Sequence, residues 1–199
     1  MRYSAGTGRA RIVLQLLIVS CLSLGLLGLK CSALTGDGRP DVDNGGGCGS
    51  TDRTIEQTTD NSSDNIAGSN EKLAQSFSVT TSTKLYSVEF YFNGTLAGST
   101  ATVELWAGGS GPFSGSAVAS SSVTSGFDNS KHYVEFKFPG YPNLAAGTTY
   151  YFVVSGSNGT TIELSSSDKY SGGAWFHYVS PAWGAAQSKD AVFRVNTCR

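Results

Sequence analysis

The sequence is poor in the residues from which most catalytic centres are built. Its 199 residues include two histidines, four cysteines and one methionine. Two histidines exclude a His-rich metal site and an HExxH helix, and no two cysteines stand at CxxC spacing. No serine occupies a GxSxG elbow, and there is no phosphate-binding loop. Charged residues make up 15%, well short of the usual quarter. No stretch repeats its apolar residues at helical spacing, which argues against helical folds.

What is present suits short strands and many turns: 25 glycines, and roughly a quarter of the chain as serine and threonine. Aromatics at 11% and hydrophobics at 39% suffice for a packed core. The length allows one domain with a leader and a tether.

Arg2, Arg9 and Arg11 precede an apolar run from Ile12 to Leu29, the pattern of an export segment over residues 1–33. Three outcomes fit it: cleavage after Ala33, lipidation at Cys31 or Cys21, or retention of the run as an anchor. Each places the domain outside the cytoplasm, secreted or on the cell envelope, with membrane contact only through this segment. Without residues 1–33, ten basic and fifteen acidic residues remain. No basic stripe is left for a phosphate backbone, so nucleic acid is not an expected partner. Cys48 and Cys198 then form an even pair, expected to be a disulfide in an oxidising compartment.

Residues 34–70 hold seven acids and, after Leu34 itself, only Val42, Ile55 and Ile66 as large apolar side chains, so they are expected to be a flexible acidic tether. Asp41 to Gly45 has the look of a calcium loop but lacks the distal glutamate, and no metal or cofactor is expected. From residue 71 to 199 the period becomes two. Tyr86, Val88, Phe90 and Phe92 share one face, as do Ala101, Val103 and Leu105, and Val134, Phe136 and Phe138. Tyr150 to Val154 is apolar on both parities and reads as a central strand. Further strands are expected at 75–79, 117–124, 161–164, 174–178 and 191–196. The fold class is all-β, an antiparallel jelly-roll-like sandwich of eight or nine strands.

Leu73 to Phe77, Leu85 with Val88, Val103 to Trp106, the run Leu144 to Tyr151, and Asp190 to Phe193 stand in an order that resembles the choice-of-anchor R domain. The resemblance covers residues 71–197. It implies an exported bacterial β-sandwich held at the cell surface, with no activity assigned. The chain departs from that pattern by ending at Arg199 without a sorting signal, so any anchor is expected at the N-terminus.

The densest local feature is residues 168–184, where Tyr170, Trp175, Phe176, His177, Tyr178 and Trp183 stand among glycines and a proline. Flat rings with polar tips are what a sugar or peptide platform uses. Tyr170, Trp175, His177, Tyr178 and Trp183, with Trp106 at the wet end of its strand, are therefore the candidate ligand residues; the competing reading has the rings closing one end of the core. His132, at a strand start, reads as structural. Glu89, Glu104 and Glu135 all take wet parity, which leaves a pair of hydrolytic carboxylates as a third reading. The expectation is a non-enzymatic module binding carbohydrate or another surface ligand, with a structural or adhesive protein as the alternative and a polysaccharide hydrolase third. Oligomeric state is not legible. Asn61, Asn93 and Asn158 stand in glycosylation sequons.

Overall fold

The computed structural model describes residues 48–94, 98–109, 112, 117–124, 126–157 and 159–199. The export segment with Cys21 and Cys31, the calcium-like stretch and Asn158 lie outside the described residues. Within them the chain is all-β and antiparallel, two sheets packed as a sandwich.

The first sheet is centred on β4 (Thr83–Phe92). It pairs with β14 (Phe193–Cys198) on one side and with β7 (His132–Lys137) and the short β8 (Asn143–Leu144) on the other. Beyond β14 lies β1 (Thr51–Gln57). The strand β10 (Thr160–Ser165) joins β4 at Phe92 and carries β2 (Ser62–Ile66) and the short β13 (Asp190–Ala191). The second sheet runs in the order β12 (Ala182–Trp183), β11 (Trp175–Val179), β3 (Lys72–Ser78), β9 (Thr149–Gly156), β5 (Ala101–Ala107) and β6 (Ala117–Val123). Alternate residues of both sheets meet in one core, where Phe77 stacks on Phe152 at 4.3 Å and Phe90 meets Phe152 edge-on at 6.1 Å.

All nine expected strands are present, yet fourteen form among the described residues. Three of the additions are two-residue pairings, too short to leave a period in the sequence. The other two correct the tether: β1 and β2 both lie within residues 34–70. Ile55 and Ile66, two of the few large apolar residues there, enter the core, and main-chain pairing to β14 and β10 holds the polar remainder. A single buried anchor per strand is enough when the backbone finds a ready-made edge.

Tyr86 is a second correction. The register of β4 against β14 slips between Asn196 and Thr197, so Ser87 faces Asn196 while Leu85 faces Thr197. The extra residue turns Leu85 into the core in place of Tyr86, whose ring stacks on Tyr141 at 6.0 Å.

A candidate ligand-binding face

The outer face of the second sheet carries an apolar cluster of its own. Ala74 on β3 and Tyr151 and Val153 on β9 are buried although they point away from the core, because Trp106, Phe176 and Trp183 pack over them. Strand register builds the arrangement. Trp106 on β5 lies opposite Tyr151, Phe176 on β11 lies opposite Ala74, and Tyr178 lies opposite both Lys72 and Trp183. Tyr178 and Trp183 approach to 5.2 Å between ring centroids, and Tyr151 meets Phe176 edge-on at 5.8 Å. The indole of Trp106 donates to Glu104 Oε2 at 3.3 Å, and Lys72 Nζ lies 3.9 Å from that same oxygen. Burial alone pushes the Tyr151 hydroxyl above the usual phenol range, and its O–H donates to the Gly109 carbonyl at 3.4 Å.

The six sequence candidates divide between this face and the interior. Trp106, Tyr178 and Trp183 belong to the outer face and are half-buried. Trp175 does not: it is fully buried in the main core, where its Nε1–H donates to Asp64 Oδ2 at 3.1 Å. Alternation along β11 is the reason, since Trp175 has the parity opposite to Phe176 and Tyr178. His177 shares the inward parity at the rim, with Nδ1 3.3 Å from Asp64 Oδ2 and Nε2 3.8 Å from Glu71 Oε2. Tyr170 closes the core end against Phe193 at 5.5 Å, and its O–H donates to the Ser78 carbonyl at 3.2 Å. Trp175, His177 and Tyr170 thus tie the sheets together and lie off the aromatic platform.

Phe176 and Tyr151 are the platform residues absent from the sequence candidates. The signal for Tyr151 was the double parity of Tyr150 to Val154: a strand apolar on its outer side too must have that side covered.

A buried polar group fixes the loop that carries Tyr170. Asp190 is fully buried, and its Oδ2 accepts the backbone N–H groups of Lys169 at 2.7 Å and Tyr170 at 2.8 Å, while its Oδ1 accepts Gln75 Nε2–H at 3.2 Å. Gln75 Oε1 in turn accepts the Ala191 N–H at 2.7 Å. Gly173 sits against the Ser76 carbonyl, where a Cβ would meet its carbon at 2.7 Å. The loop therefore lies directly on β3.

The three strand glutamates divide between the two sheets. Glu104 is on the second sheet, whereas Glu89 and Glu135 are cross-strand neighbours on the first. Glu89 lies 3.4 Å from Arg194 and 3.7 Å from Arg53 and accepts Asn196 Nδ2–H at 2.9 Å; Glu135 accepts the Ser87 hydroxyl at 2.8 Å. Arg194 also lies over the Tyr133 ring at 3.7 Å. His132 is local, with Nδ1 3.2 Å from Asp128 and Nε2 against the Gly126 carbonyl.

One more carboxylate pair lies at the β1–β2 turn. Glu163 is 3% exposed and hydrogen-bonded to Asp60, and Lys131 Nζ is 3.2 Å from each. Burial, followed by the bond to Asp60, pushes the Glu163 carboxyl up; Asp60 is held below its usual value, chiefly by its bond to Glu163. A raised folded-state value means that Glu163 lowers stability as pH climbs from the ordinary glutamate value of 4.5 through the raised one. Asp60 acts in the opposite sense, its contribution being lost only as pH falls below the ordinary 3.8 through its lowered value. Glu163→Gln should therefore gain on wild type as pH rises from about 4.5 to 7, because the amide still donates to Asp60 and carries no charge to desolvate. Urea midpoints measured across that range check it; parallel curves would contradict it.

Among the described residues no group of histidine, cysteine, aspartate and glutamate could hold a metal ion, and no helix is long and apolar enough to cross a membrane. A groove of about 680 Å³ lies at the disulfide end, lined by residues such as Lys84, Leu144 and Cys198, and includes none of the aromatic candidates. Fold and site together define a disulfide-bonded antiparallel β-sandwich with an aromatic outer face. No family model matches the chain, and no curated protein matches it.

Proposed function

We propose that the protein is an exported, non-enzymatic β-sandwich module that binds carbohydrate on the outer face of its second sheet. The observation that carries this reading is the cluster of Trp106, Phe176, Tyr178 and Trp183 over Tyr151 and Val153, an apolar layer outside the core. Rings edged by hydroxyl side chains such as Thr102 and Ser122 suit the mixed apolar and hydroxyl surface of a sugar. Export is supported by the basic and apolar N-terminus and by the Cys48–Cys198 bond, which oxidising compartments favour. The resemblance of residues 71–197 to choice-of-anchor R domains accords with attachment at a cell surface through the N-terminal segment.

A glycan array with the purified domain tests the reading. Trp106→Ala and Trp183→Ala should each weaken binding by ~1–3 kcal/mol while costing less stability than loss of the fully buried Trp175 would. Sharp loss of stability in both variants, with unaltered binding at a permissive temperature, would reject the platform.

One observation favours the alternative of a structural or adhesive protein. Strand β6 is an edge of the second sheet, uncharged over Ala117–Val123, with Val118 54% exposed. Such an edge can accept another strand. Self-association abolished by Ser120→Lys, with no glycan bound, would establish that alternative.

A further inference from the structure

We infer that the ligand is a neutral, extended polysaccharide that crosses the strands of the second sheet, engaging about four sugar units, and is not a single sugar or a chain end. The inference rests on the reading of this face as a glycan platform and adds the class of glycan.

The strand order β12, β11, β3, β9, β5 places Trp183 at one side and Trp106 four strands away. The register sets them on different rows. Tyr178 and Trp183 share the row of Lys72, Phe176 lies on the row of Ala74, and Tyr151 with Trp106 lies on the row of Ser76. The rings therefore follow a diagonal across the sheet, roughly 23 Å long at about 4.8 Å per strand and 3.4 Å per residue. One strand spacing is close to the length of one pyranose unit along an extended chain. A ribbon-like β-1,4-linked polymer presents a flat apolar face at each unit, so a chain laid along the diagonal can rest on Trp183, Tyr178, Phe176 and Trp106, with Tyr151 buried beneath them. A coiled α-linked chain would leave this straight diagonal after a turn.

Charge selects within that class. The polar side chains nearest the rings are Glu104 and Lys72, and these lie 3.9 Å from each other, so the face carries no net charge. Neither a sulfated nor a uronate polymer meets a complementary surface. The outer face of the first sheet differs in the opposite way, being occupied by Arg53, Glu56, Glu89 and Arg194 in mutual ion pairs.

Calorimetry with cello-oligosaccharides of one to six units, using the full folded domain, reads the length of the site. Affinity is expected to climb about three- to tenfold for each further ring engaged and to level off near four units. Trp183→Ala should remove the gain from the longest oligomers and leave binding of the shorter ones unchanged, and polygalacturonate should bind less tightly than a neutral glucan of equal length. Affinity that is already maximal at one or two units, or tighter binding of the acidic polymer, would overturn the inference while leaving carbohydrate binding intact. Binding of no glycan in either this series or the array would overturn both.

Discussion

Removal of the Cys48–Cys198 bond should cost this protein about 5 kcal/mol of stability, which corresponds to a fall of roughly 10–20 °C in Tm for a domain of this size. The two cysteines are 150 residues apart and their Cα atoms lie 5.1 Å apart in the fold, so the bond encloses nearly the whole sandwich. Chain-entropy reasoning assigns the largest stabilisation to such a long loop, because the open unfolded chain regains the most freedom. The local consequence is as informative as the global one. Thr51, at the start of β1, pairs with Cys198 itself, and most of β1 is exposed, with Ile55 and Gln57 its only buried side chains. The bond and the ladder to β14 hold that edge together with the Ile55 side chain and the ion pairs of Arg53 and Glu56. A Cys48→Ser, Cys198→Ser double variant, or wild type under reductant, should show the lowered Tm together with loss of hydrogen-exchange protection in Thr51–Gln57. A wild-type Tm indifferent to reductant would refute the expectation.

Trp175→Ala should cost about 3–5 kcal/mol, the usual range for deleting a buried aromatic side chain. Trp175 is fully buried in the main cluster, and the deletion also removes the N–H that Asp64 Oδ2 accepts. That carboxylate lies on β2 and faces both Trp175 and His177 on β11, so it joins an edge strand of the first sheet to the second sheet. Trp175→Phe separates the two contributions: most of the volume is retained and only the hydrogen bond is lost, at a cost of about 1–3 kcal/mol. Denaturant unfolding with an unchanged m value measures both. If Trp175→Ala left the midpoint in place and instead abolished glycan binding, the division of the rings between core and platform would be wrong. The contrast with Trp106 and Trp183 is the point of the comparison, since three tryptophans of similar sequence setting are expected to act through different properties.

The period of two determined a great deal by itself. Val88, Phe90, Phe92, Val103, Leu105, Val134 and Phe136 are buried as alternation requires, because a strand with one wet face can satisfy its side chains in only one way. The even pair Cys48 and Cys198 was legible for a similar reason, Cys48 lying just before the first strand and Cys198 closing the last strand of a fold whose ends meet. Alternation fails where the ladder slips, and Tyr86 shows it: a bulge arises from the mismatch between two strands and leaves no mark on either alone. The strands β1 and β2 escaped notice because main-chain pairing to β14 and β10 holds them, and those partners lie far along the chain, as from Ile66 to Thr160 and from Thr51 to Cys198. The aromatic face was only half legible. Residues 175–178 alternate, so the sequence implied that Trp175 and Phe176 point to opposite sides, but not which side was core. That choice follows from the register of β11 against β3, where Gln75 and Phe77 face inward and Ala74 outward. Register between distant strands is a property of the packed sheets, set by which rings the common core can accommodate, and it was the tertiary structure that sent Trp175 inside and left Phe176, Tyr178 and Trp183 to line the outer face.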